Sequence, residues 1–270
     1  MTMIHSNRIG TGEKLLLVHG LGGSWQSWSP MIAALAAHRE IIAIDLPGHG
    51  QSLAQPGSGT FRGLSDSLEH YIAENGLGGV DVAGFSLGGR LVLEMARRGC
   101  VGNVVALSPG GFWAGWERSY FKWTLRTSLG LLRLLDRQLP ALSASPITRT
   151  MLLAQLSARP WALPAALVQR ELIAFAGTPS VGPLIADLAE GRPQQGPAAA
   201  STGKITIVWG RKDHLCLPRQ AARAAAAFPT ARIEWFENSG HYSIWDFPER
   251  AAEVIINSAS LTAVAANEQA

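Results

Sequence analysis

Several short runs in this chain are apolar at nearly every position. Leu15-Leu16-Leu17-Val18, Ile41-Ile42-Ala43-Ile44 and Ile205-Thr206-Ile207-Val208-Trp209 leave almost no face for water. A strand sends successive side chains to opposite faces, so such a run must be covered on both sides. Strands are expected over 14–18, 41–44, 80–83, 104–107, 205–209 and 232–236. Stretches of helical period lie between them, at about 30–38, 61–74, 87–98, 218–227 and 248–258. Alternation of this kind builds βαβ units with helices on both faces of a mostly parallel sheet. One further strand before Lys14 brings the expected α/β sheet to about seven strands.

The alternation stops over 112–200, which reads as helices punctuated by Pro140, Pro146, Pro160, Pro164, Pro179 and Pro183. Strand alternation resumes at Lys204. The expected organisation is one core, residues 1–111 and 201–270, interrupted by a helical cap insertion, residues 112–200. The 191–203 stretch, rich in Pro, Gln, Gly and Ala, reads as a flexible return, and residues from about Ser258 onward as a frayed tail. With 270 residues, 47% of them hydrophobic and 16% charged, the chain can bury a large core.

Gly84-Phe85-Ser86-Leu87-Gly88 falls where a strand ends and a helix begins. A serine hydroxyl is a weak nucleophile and must be aimed at a base. A tight strand-to-helix turn does this, at a backbone strain that only small residues two positions away tolerate. Ser86 is therefore the candidate nucleophile. The Leu87 N–H, at the helix N-terminus, points toward developing negative charge. Upstream, His19-Gly20-Leu21-Gly22-Gly23 follows the first strong strand. It reads either as a plain glycine-rich turn or as the loop whose Leu21 N–H completes an oxyanion hole. It lacks the Lys and Ser/Thr of a phosphate loop.

Asp213 and His241 each follow a strand's C-terminal end, the sheet edge that presents Ser86 and along which open α/β sheets place their sites. The imidazole would take the serine proton and return it, while the carboxylate fixes its tautomer. Other histidines fit less well: His5 is terminal, His38 and His70 lie on or at the ends of helical stretches, His49 is in an early turn, and His214 adjoins the acid. Asp187 falls in the cap and Asp246 after the histidine.

The order Ser86, Asp213, His241, with the glycine-rich loop upstream and Asp45-Leu46-Pro47-Gly48-His49-Gly50 after the second strand, resembles the α/β-hydrolase family over about residues 12–257. The resemblance implies a serine hydrolase cleaving a carboxylic ester, thioester or lactone through an acyl-serine. The same triad also supports carbon–carbon bond hydrolysis or lyase chemistry, and the fold can serve as a non-catalytic ligand-binding module. Epoxide hydrolases and haloalkane dehalogenases are similar elsewhere but carry Asp where this chain has Ser86.

In the cap, Trp113, Trp116, Tyr120 and Trp161 read either as cap packing or as the wall of an apolar acyl pocket. Residues 112–200 hold nine Arg and Lys against five Asp and Glu, so the cap is the basic part of a chain whose net charge is +3. Arg118, Lys122 and Arg126 recur every four residues. They form either a solvated face or a docking face for an acidic carrier protein or anionic lipid. No stripe of basic and stacking aromatic residues suggests nucleic acid. Cys100 and Cys216 have no paired spacing and read as reduced thiols. Ligand spacing for a metal and a dinucleotide fingerprint are both lacking, so no metal or cofactor is expected. No apolar run approaches bilayer-spanning length, turn residues and Glu13 precede the first one, and the expected location is cytoplasmic.

Overall fold

The computed structural model describes residues 4–260. Its seven strands are β1 (Ser6–Ile9), β2 (Lys14–Val18), β3 (Glu40–Ile44), β4 (Val80–Phe85), β5 (Val101–Leu107), β6 (Ile205–Gly210) and β7 (Arg232–Phe236). They form one sheet in the order β1-β3-β2-β4-β5-β6-β7. Only β1 runs antiparallel, on β3; the other neighbours are parallel, with Leu16 opposite Ile42, Val18 opposite Gly84 and Phe85 opposite Leu107.

The two-faced burial read from the strands is observed. Leu16, Val18, Ile42 and Ile44 pack into one apolar layer, and Leu15, Leu17, Ile41 and Ala43 into the other. The helices α1 (Ser29–Ala36), α2 (Phe61–Glu74) and α3 (Leu87–Arg98) follow successive strands. Leu64, Leu68 and Ile72 of α2 and Leu91, Val92 and Met95 of α3 cover the first layer, whereas Met31 and Leu35 of α1 cover the second. At about 25 cal/mol per Å² of apolar surface removed from water, layers of this size dominate the folding free energy.

Between β5 and β6 come only helices: α4 (Trp116–Leu134), α5 (Leu139–Ala144), α6 (Pro146–Leu153), α7 (Ala165–Gly177) and α8 (Val181–Glu190), with a 3-10 turn at Asp136–Gln138 and another at Pro160–Ala162. Prolines stand in the first turns of α5 and α6, where the missing N–H costs nothing. The 191–203 return carries no helix or strand. The chain closes with α9 (Gln220–Ala227), α10 (Ser243–Asp246) and α11 (Pro248–Ser260), the last packing Ala251, Ala252 and Ile255 onto the second layer. α11 continues past Ser258; the rest of the expected tail lies outside the described residues.

Candidate active site

The turn from β4 into α3 is as tight as its glycines suggest. Ser86 sits at φ 55° and ψ −111°, in a region that costs a non-glycine residue about 1–3 kcal/mol. A Cβ on Gly84 would lie 2.2 Å from the Gly88 carbonyl oxygen, and one on Gly88 would lie 2.1 Å from that of Val18. The Ser86 N–H donates to Leu107 O at 2.9 Å, which anchors the strained residue to β5.

The Ser86 hydroxyl meets His241 Nε2 at 2.9 Å, and His241 Nδ1 meets Asp213 Oδ2 at 2.9 Å. The other carboxylate oxygen, Oδ1, accepts from the Leu215 and Cys216 N–H groups at 2.8 Å each. With Asp213 and His241 both about 1% exposed, the carboxylate is fixed and dry. A carboxylate facing Nδ1 selects the tautomer with its proton there, leaving the Nε2 lone pair to accept the Ser86 hydroxyl proton. Phe85 leans on the imidazole with ring centroids 5.3 Å apart.

Asp246 is equally buried but touches neither ring nitrogen. It accepts from the Gly240 and Ala158 N–H groups at 2.7 and 2.9 Å and from Ser157 Oγ at 2.5 Å, tying the histidine loop to the residues after α6. Asp187 accepts from the Phe61 N–H at 2.8 Å, at the start of α2.

The glycine-rich loop lies against the serine: a Cβ on Gly20 would come within 3.3 Å of Ser86 Cβ. Leu21 and Leu87 both line the cavity beside Ser86. Leu87 opens α3, so its N–H has no acceptor within the helix. Sequence reasoning used only this loop's backbone and passed over His19. That side chain is fully buried; its Nδ1 donates to Gly20 O at 2.7 Å, and its Nε2 accepts from the Leu46 N–H at 2.9 Å. His19 thus staples the loop to the Asp45–Gly50 turn. Burial lowers its pKa to about 4.

The cavity over Ser86 has a volume of about 310 Å³ and walls that include Leu125, Leu132, Val168, Leu172 and Trp245. Of the four aromatics proposed for it, only Trp113 lines it, stacked on Phe121 at 4.3 Å. Trp116, Tyr120 and Trp161 are corrected: none is among the lining residues. The inward face of α4 is Phe121, Leu125, Leu129 and Leu132, which turns Trp116 outward, 60% exposed and beneath the Arg219 guanidinium. Trp161 is 56% exposed, and Tyr120 donates its hydroxyl to His214 O at 2.6 Å. Among the polar lining residues that escaped the sequence reading are Arg90, Glu171 and Tyr242. The Arg90 guanidinium lies 3.9 Å over the Phe61 ring, and burial pulls its pKa down to about 10, still charged at neutral pH.

Asp213, Cys216 and His241 bring ligand-type atoms within 4.8 Å of one another, a proximity that sequence spacing did not show. The set does not suit a metal. The facing Asp213 and His241 atoms are paired with each other, and burial pushes the Cys216 thiol well above its ordinary range, away from the thiolate a metal needs. Of the basic row, Lys122 pairs with Glu190 at 2.6 Å and Arg118 donates to Gly191 O at 3.2 Å. Those charges bind α4 to the end of α8, while Arg126 is exposed. Among the described residues no single helix is long and apolar enough to cross a membrane.

The sequence matches the alpha/beta hydrolase family over residues 15–254, and the chain belongs to that family of enzymes. An esterase from Exiguobacterium antarcticum superposes with a TM-score of 0.76 at 19% identity, covering 94% of each chain. An enol-lactonase from Burkholderia xenovorans does so at 0.72 and 19%, covering 95% of this chain and 96% of that one. At such identities the likeness shows the fold alone. A shorter match, 40% identical over 97 residues, is to the 2-succinyl-6-hydroxy-2,4-cyclohexadiene-1-carboxylate synthase of Yersinia enterocolitica. It spans 36% of this chain and 34% of that protein.

Proposed function

We propose that the protein is a serine hydrolase of carboxylic esters, thioesters or lactones, with residues 112–200 as a cap over the site. The observation that carries this reading is the unbroken chain Ser86 Oγ–His241 Nε2–Asp213 Oδ2, opening onto a mainly apolar cavity. Ser86 Oγ attacks the substrate carbonyl as its proton passes to His241 Nε2. The tetrahedral oxyanion lies between the Leu21 and Leu87 N–H groups, and the imidazolium is stabilised by Asp213. Collapse expels the leaving group, which takes the proton from Nε2. A water, deprotonated by the same nitrogen, then cleaves the acyl-serine and frees the acid. Every proton taken is returned, and the route needs no metal or cofactor.

A fluorophosphonate probe should label wild type and leave Ser86→Ala unlabelled. Turnover of p-nitrophenyl esters should fall on the order of 10⁴-fold or more in that variant, as for triad members acting as a unit. Ser86→Ala activity within about tenfold of wild type would exclude the serine. A vinylogous diketone run beside the esters separates ester cleavage from carbon–carbon cleavage on the same triad.

A further inference from the structure

A carboxyl group that acyl transfer does not use sits in the wall of the same cavity. Glu171, on α7, is 9% exposed and lines the space over Ser86. Ser27 Oγ donates to its Oε2 at 2.7 Å. Among the described residues its other oxygen has only a long contact, 3.4 Å, from Arg170 Nε. The Arg170 guanidinium instead reaches Gln26 O at 2.9 Å and Ser29 Oγ at 3.0 Å. A carboxylate has about four acceptor positions, and a buried one left short of partners is costly. Burial accordingly holds the Glu171 carboxyl above the usual range, although Ser27 and Arg170 pull the other way. Burial, and after it the same charge, pushes the Tyr242 phenol up.

Val168, Leu172, Phe175 and Trp245 also line the cavity. A plain alkyl chain laid against the Glu171 carboxyl would offer it no hydrogen bond. We propose that Glu171 determines the substrate's polar character: it accepts a hydrogen bond from a hydroxyl or ammonium carried on the part of the substrate that lies against α7. This rests on the acyl-serine reading and narrows its substrate class from apolar acyl groups to acyl or alcohol groups bearing a donor.

The experiment compares p-nitrophenyl esters of graded chain length whose acyl chains end in methyl, hydroxyl or ammonium. At the best length, wild type should favour a donor-ended ester over its methyl counterpart by about tenfold or more in kcat/KM, the size of one hydrogen bond to a charged group. Glu171→Leu should bring that ratio to about one or below. Glu171→Gln distinguishes the two donors. Its amide oxygen still accepts from a hydroxyl, so that preference should survive, whereas an ammonium preference should be lost. Melting curves confirm that the variants fold, and the wild-type preference needs no variant. The inference is overturned if wild type turns over the methyl-ended ester as well as both donor-ended ones at every length. It is also overturned if folded Glu171→Leu loses the same factor on all three. Failure of the fluorophosphonate to label wild type removes the acyl-serine reading and this inference together. Normal labelling without donor preference removes this inference alone.

Discussion

Asp213 and Asp246 are both buried near His241, yet they hold different things. Asp213 faces Nδ1, whereas Asp246 collects two N–H groups and a serine hydroxyl that fix the loop. Asp213→Asn should therefore cost turnover far more than stability, by up to about 10⁴-fold, because the amide can hold the wrong tautomer. Asp246→Asn should chiefly lower the melting temperature, since it weakens charge-assisted bonds to buried donors. Parallel kinetics and melting curves decide, and the opposite pattern would reassign the acid. That Asp213 and His241 lie at the edge where Ser86 sits was legible because each follows a strand whose end is readable from apolar runs. Glu171 was not, because one acid on a helix has no local signature; its meaning comes from Ser27, 144 positions away.

At the scale of elements, the strand-to-helix turn is the place where sequence and structure agree most closely, because its constraint is steric and local. Gly88 has no room for a methyl group: its Cβ would meet backbone oxygens of Val18 and His19 at 2.1 and 2.6 Å. Relief requires moving α3 off β2, so Gly88→Ala should destabilise the fold by about 1–3 kcal/mol, the range for overpacking. It should also abolish labelling of Ser86, read by urea titration and the fluorophosphonate probe. A variant as stable and as reactive as wild type would show that the turn relaxes freely. Around α4 the sequence was less informative. Its period identifies a helix, but which side turns inward depends on partners far along the chain. Trp116, the first residue of α4, ends at the surface under Arg219, whereas Trp113, in the loop before the helix, lines the cavity. The basic row shared that ambiguity, which Glu190 and Gly191 resolve for Lys122 and Arg118.

For the whole molecule, the mostly parallel sheet and its two-faced burial were legible in the alternation of apolar runs, but the strand order and the buried imidazoles that join the first loops were not. His19 already donates from Nδ1 and accepts at Nε2, so a second proton would oppose the Leu46 N–H. His49 has a buried Nε2 with no partner among the described residues, so a proton there would have no acceptor. Burial holds His19 near a pKa of about 4, and burial with the neighbouring His19 holds His49 near about 3, both below the ordinary 6.5. Lowered folded-state values mean that the unfolded chain binds more protons between the two pKa values. The stability they confer is thus complete above pH 6.5 and is lost as pH falls toward 4 and 3. Each histidine should cost on the order of 2 kcal/mol by pH 5, with less than full additivity because the rings are 5.3 Å apart. Glu171, raised, acts oppositely: its contribution is present below the unfolded carboxyl value and is lost as pH rises through the folded one. Two imidazoles outweigh one carboxyl, so the protein should be acid-labile. Urea titrations at pH 7 and pH 5 should show the loss, and His49→Gln should reduce the pH slope by about one proton. A slope unchanged in that variant would place the titration elsewhere.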